Sequence, residues 1–146
     1  AIVSDDATKG AVVELNCETD FVGMNEKFKG YAEKIARAAM AANVEDVEAL
    51  KAADADGETV DDVLTDAIHT LGENMNLARA AVVEAGAVAS YIHGGGKIGV
   101  LVTFDVEGID PTSADFQHFG RDANEVAKNL GGTIKITGFK RFMLGE

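Results

Sequence analysis

Cys17, Glu18, Asp20 and Phe21 crowd one short stretch, and they are the residues whose types could do chemistry together. A thiol beside two carboxylates could serve a small hydrolase or transferase. The reactive species is the thiolate, however, and neighbouring carboxylates raise a thiol's pKa instead of lowering it. Glu18 and Asp20 would divide into acid and base only if their environments pushed their pKa values apart, and nothing in the sequence around them does so. The single cysteine has no internal disulfide partner, and His69, His93 and His118 stand far apart, so no metal-ligand spacing arises. Asp54-Ala-Asp-Gly57 begins like a calcium loop but lacks the later ligand positions and the terminal Glu. Gly94-Gly-Gly-Lys97 has the composition of a phosphate cradle, yet it leads from one strand pattern to another without the helix start such a cradle uses. Neither a resident metal nor a cofactor is expected. What remains is Phe21, an aromatic ring at a strand-to-helix junction. It is either the staple that fixes how the chain enters its helix or a rigid knob for a partner.

The elements that must hold this stretch follow from periodicity and caps. Val12, Val13 and Leu15 predict a strand, preceded by a short arm over residues 1–6 and a turn at Ala7-Thr-Lys-Gly10, which together make a hairpin. Asn25 is placed to cap a helix carrying Phe28, Ala32, Ile35, Ala39 and Ala42 on one side and ending near Asn43. A short helix within residues 44–53 and a polar turn at 54–57 come next. Thr59 caps the most regular helix, with Val60, Val63, Leu64, Ala67, Ile68 and Leu71 on one face and Gly72 as its stop.

Two strands are predicted over 76–85 and 87–93, the second alternating Val88, Ser90 and Ile92 against Ala89, Tyr91 and His93. The glycine turn closes a hairpin into a strand from Lys97 to Phe104. After a loop at the only proline, Pro111, either Thr112 or Ser113 caps a helix bearing Phe116, Phe119, Ala123, Val126, Ala127 and Leu130. A last strand over 133–144 is expected to set Ile134, Ile136, Gly138, Lys140, Phe142 and Leu144 on one face and Lys135, Thr137, Phe139, Arg141 and Met143 on the other.

Separate runs of strands and helices, without regular βαβ alternation, predict an α+β fold with mainly antiparallel sheets. The order of elements reads as one plan used twice, dividing the chain into residues 1–85 and 86–146. At 146 residues the chain is long enough to bury roughly two thirds of its unfolded surface without disulfides. A net charge of −12 repels nucleic acid phosphates and anionic membranes. No apolar run reaches a membrane span, and the start has no signal-peptide pattern. A reducing, intracellular compartment is expected, and the absence of an initial Met reads as a piece of a longer chain.

Leu15-Asn-Cys-Glu-Thr-Asp-Phe-Val22 followed by Asn25 resembles the signature turn of the elongation factor Ts family. Leu71-Gly-Glu-Asn-Met-Asn-Leu77, Ser90 to Val102 and Ile136 to Glu146 resemble three further blocks of that family, in the same order. The resemblance implies two related lobes, each a small antiparallel sheet packed by helices. It also implies a guanine nucleotide exchange factor without covalent chemistry, whose partner is elongation factor Tu in GDP-bound or nucleotide-free form. Thr19, Asp20, Phe21 and Val22 would carry the contact, with Phe21 wedging between helices beside the partner's magnesium site. Leu71, Gly72 and His93 would touch the same domain, and the second lobe would reach another. A cytoplasmic setting in a bacterium, or an organellar matrix, is implied, and so is the option of a homodimer or a two-plus-two assembly with elongation factor Tu.

The sequence departs from the family at several places. The resemblance implies a small helical domain ahead of this core, which is not among residues 1–146, and Gln117 to Ala123 runs straight into Val126 to Leu130, where a coiled-coil excursion is common in the family. Gly23-Met24 and Ala78-Arg79 replace more basic pairs. A core that folds or binds but no longer exchanges nucleotide is therefore an alternative to the active factor.

Overall fold

In the computed structural model of this protein, which describes residues 1–117 and 131–146, the chain forms two three-stranded antiparallel sheets with helices inserted between their strands. Strand β1 (Ile2–Val3) and strand β2 (Lys9–Asn16) make the expected hairpin, with Ile2 opposite Ala11. Asp6 ties its turn by accepting from the Ser4 hydroxyl and from both the amide and the hydroxyl of Thr8. Helices α1 (Asp20–Gly23), α2 (Glu26–Ala42), α3 (Val47–Lys51) and α4 (Val60–Leu71) follow, and strand β3 (Asn76–Glu84) then returns to pair with β2. The second sheet repeats this scheme. Strands β4 (Ala87–His93) and β5 (Ile98–Glu107) form a hairpin across the glycine turn, and β6 (Thr133–Met143) pairs with β5 after helix α5 (Ala114–Gln117).

The helix ends lie where the sequence puts them. The Asn25 side chain accepts from the Lys27 amide at 2.8 Å, and α2 stops at Asn43 in the left-handed conformation. Thr59 and Asp62 form a reciprocal capping box on α4, satisfying two donors that a helix start leaves unpaired. Gly72, at φ 73°, ends the same helix. At α5 it is Ser113 whose side chain accepts from the Phe116 amide. The expected helix positions Phe119, Ala123, Val126, Ala127 and Leu130 lie outside the described residues.

Ile35, Ala39, Leu50, Val60 and Val63 are buried between the helices and the first sheet. A second cluster, Val12, Ala81, Val88 and Leu101, draws on strands of both sheets, so the two lobes share a seam. Glycines make the close approach feasible: a Cβ on Gly10 would lie 2.9 Å from Val88 Cγ1, and one on Gly99 would lie 3.0 Å from Val12 Cγ2. The other face of the second sheet buries Phe104 against Phe116, edge to face at 5.2 Å between centroids.

One expected pattern is overturned. Strand β6 does not keep a single alternation, because Thr103 pairs with Gly138 while Phe104 pairs with Ile136, leaving Thr137 as a bulge. Ile134 and Ile136 therefore share a face with Phe139, Arg141 and Met143, not with Gly138, Lys140 and Phe142. The extra residue flips the side-chain phase, and Phe142 alone of the late aromatics turns towards the seam.

Candidate functional site

Strand β2 ends at Asn16, and the next residues make a turn stiffened from within and from across the chain. Thr19 has extended backbone and caps α1, its hydroxyl accepting from the Val22 amide at 3.4 Å. The Cys17 thiol donates to the Thr19 carbonyl at 3.3 Å. Glu73, in the loop after α4, accepts from the backbone amides of Glu18 at 3.1 Å and Thr19 at 3.0 Å, and from the Thr19 hydroxyl. Asn74 donates from its side chain to the Glu18 carboxylate at 2.7 Å. Thus the loop that follows Leu71-Gly72 and the turn that carries Asp20-Phe21 are one unit.

Within that unit Phe21 points outward and is 85% exposed, so it is not the staple of α2. Val22 takes the inward role and packs with Leu71 on the core of the first lobe. A four-residue helix can send only some of its side chains inward, and here the aromatic is on the outer side. Asp20 is exposed, and its carboxylate meets Lys97 of the second lobe at 3.7 Å. Gly72 is exposed at the end of α4. His93 ends β4, exposed, with Nδ1 2.8 Å from the Tyr91 hydroxyl. Asp20 and the Gly94–Gly96 turn next to His93 border the same groove of about 840 Å³, which runs between the lobes over Leu15, Phe28 and Phe142.

The arrangement offers little to covalent chemistry. Partial burial, then the Glu73 and Asp20 carboxylates, push the Cys17 thiol up, away from a reactive thiolate, although its own hydrogen bond to Thr19 acts the other way. Among the described residues, no three His, Cys, Asp or Glu side chains are disposed to hold a metal ion. None of the described helices is long and apolar enough to cross a membrane. What stands out is an aromatic ring held in water on a braced acidic turn.

Sequence reasoning singled out Thr19, Asp20, Phe21, Val22, Leu71, Gly72 and His93 but missed Glu73, Asn74 and Lys97 as the groups that bind these stretches together. The family-like block Leu71 to Leu77 contained Glu73 and Asn74 but gave them no role of their own. The acceptor role of Glu73 depends on amides more than fifty positions earlier, which no local pattern reveals.

Fold and site together define the class: an α+β core of two antiparallel sheets on a shared seam, presenting an exposed ring on a braced turn. The family model for Elongation factor TS matches residues 18–134, and the chain belongs to the elongation factor Ts family. Over 116 residues it is 48% identical to an elongation factor Ts of Clostridium perfringens, covering 77% of this chain and 38% of that protein. It is 46% identical over 109 residues to an elongation factor Ts of Deinococcus deserti, covering 75% and 40% respectively. The match to an elongation factor Ts of Clostridium botulinum is 42% over 136 residues, 90% of this chain and 42% of that one. The chain thus spans about two fifths of the length of these relatives.

Proposed function

We propose that this chain is the exchange-promoting core of an elongation factor Ts, binding elongation factor Tu and speeding its release of GDP. The observation that carries the reading is the exposure of Phe21 on a turn with internal bracing. A buried Phe side chain gains ~1.5–3 kcal/mol over an exposed one, so a ring left at 85% exposure has that energy in hand for a complex. Exchange requires only negative coupling: factor and nucleotide each weaken the other's binding by the same ratio, and no bond is made or broken.

In this reading Thr19, Asp20, Phe21 and Val22 form the contact with the nucleotide-binding domain, Phe21 as wedge and Asp20 as the charge brought near the partner's magnesium. The metal belongs to the partner. Leu71 acts from beneath, since it is half-buried, while Gly72 and His93 are exposed and reach the same domain directly. Tyr91, Ile136 and Phe139, exposed on the second sheet, support a further contact with another domain of the GTPase. A net charge of −12 disfavours RNA as a direct partner and suits a cytoplasmic protein partner.

A second reading, motivated by Gly23-Met24 and Ala78-Arg79 standing where the family more often has basic residues, is a core that binds without releasing nucleotide. The two separate on mixing the chain with elongation factor Tu loaded with fluorescent GDP. Accelerated release supports exchange, a complex without acceleration supports the second reading, and the absence of any complex overturns both.

A further inference from the structure

Glu73 belongs to the loop after α4, yet its carboxylate is spent on the turn that carries Phe21. One side chain accepts from two consecutive backbone amides, those of Glu18 and Thr19, at 3.1 and 3.0 Å, and also from the Thr19 hydroxyl. Consecutive amides converging on one carboxylate are the arrangement in which a backbone turn binds an anion, here supplied by the chain itself. Charge-assisted hydrogen bonds of this kind are roughly twice as strong as neutral ones. They fall on Thr19, whose hydroxyl also caps α1, so the carboxylate sets the hydroxyl that sets the start of the helix.

Besides this clasp the turn is held by the Cys17 thiol on the Thr19 carbonyl and by Asn74 on the Glu18 carboxylate, neither of which reaches the Thr19 hydroxyl that caps α1. Helix α1 has four residues, none of them fully buried, and a helix that short is not stable by its own hydrogen bonds. Phe21 and Asp20 are exposed, and the Asp20–Lys97 pair joins two exposed side chains, which is worth little in water. Among Thr19 to Val22, Val22 is the side chain that packs on the core, with Cys17 doing so just before the segment. Ordering the turn at the moment of binding would cost affinity, whereas a turn already ordered does not pay that cost.

We infer that Glu73 is the positioning residue of the contact turn: its carboxylate preorganises Thr19 to Val22 so that Phe21 is presented in one orientation. The inference rests on the exchange reading for its consequence, but the ordering itself is a property of the free protein.

Two measurements test it on the chain as it stands. In the free protein, ¹⁵N relaxation of Glu73→Ala is expected to show the Asp20, Phe21 and Val22 amides falling from rigid order parameters near ~0.85 to below ~0.6, with α2 and α4 unchanged. Glu73→Gln, which keeps a carbonyl oxygen for the amides but loses the charge, is expected to fall between, and it carries the test if the alanine variant does not fold. Amides of Asp20 to Val22 that stay as rigid as in the parent overturn the inference, as does an equal loosening of α2 and α4.

In GDP release from elongation factor Tu, Glu73→Ala is expected to raise the half-saturating concentration of factor by about tenfold while the plateau rate stays within about threefold of the parent, the mark of lost preorganisation. A lowered plateau at unchanged half-saturation overturns it. If the parent chain itself releases no GDP, the exchange reading fails, while the order of Asp20 to Val22 still decides the role of Glu73.

Discussion

The guanidinium of Arg79 lies 4.5 Å above the ring of Phe142 and at the same time donates to Glu14 at 2.6 Å and to the Met143 carbonyl at 2.9 Å. Arg79 belongs to the first sheet and Phe142 to the second, so one cation, held by a buried carboxylate, clamps the last strand of the chain onto the first lobe. The side chain of Glu14 is only 7% exposed and has no other ion partner among the described residues.

Arg79→Ala is accordingly expected to strand a buried carboxylate. Breaking a buried pair by removing one partner costs ~3–5 kcal/mol, and the one-third exposure of Arg79 brings the expectation to about 2–3 kcal/mol. Urea denaturation checks this, and Arg79→Ala with Glu14→Gln should recover part of the loss. A change below about 0.5 kcal/mol, the usual range for surface substitutions, would show that the clamp does not matter to stability.

The seam makes a contrasting pair of predictions for two glycines. Gly10→Val should cost ~1–3 kcal/mol by overpacking, because the added carbon meets Val88 at 2.9 Å, Leu101 at 3.0 Å and the Ile2 carbonyl at 3.1 Å. Gly30→Ala, inside α2 with nothing within 4 Å of the new carbon, should stabilise by ~0.8–1 kcal/mol through helix propensity. Thermal melts of both variants decide it, and a destabilised Gly30→Ala would count against this placement of α2.

Asp6 gives the pH prediction. Hydrogen bonds from the Ser4 hydroxyl, then the Thr8 hydroxyl and amide, lower its carboxyl from 3.8 to about 2. The folded state therefore binds this proton less readily than the unfolded one. Its stabilisation is present in full above the unfolded value and is lost as pH falls from about 4 through about 2. Asp6→Asn should be less stable than the parent at neutral pH, with the difference closing across that window. A carboxyl titrating near 4 by NMR contradicts it.

Caps and periodicity made α2 and α4 legible, since Asn25, Thr59 and Gly72 act through neighbours in sequence. The two-sheet plan was legible for the same reason, as each hairpin is made by adjacent segments. The phase of β6 was not, because the bulge at Thr137 is set by pairing with β5 across the sheet. Nor could residue type decide whether Phe21 is a staple or a knob. That depends on which side of a single helical turn faces the core, and Val22 occupies that side. The clasp from Glu73 and the clamp from Arg79 both join positions more than fifty apart, beyond any local pattern.

The most direct test of the exchange reading is Phe21→Ala, read for stability and for release of fluorescent GDP from elongation factor Tu in the same preparation. A ring 85% exposed holds little of the fold together, so the variant should melt close to the parent temperature. Its plateau release rate should fall about ten- to a hundredfold, as for the loss of ~1.4–3 kcal/mol of coupling. A variant that melts far below the parent, while its folded fraction still releases GDP at the parent rate, would contradict the wedge.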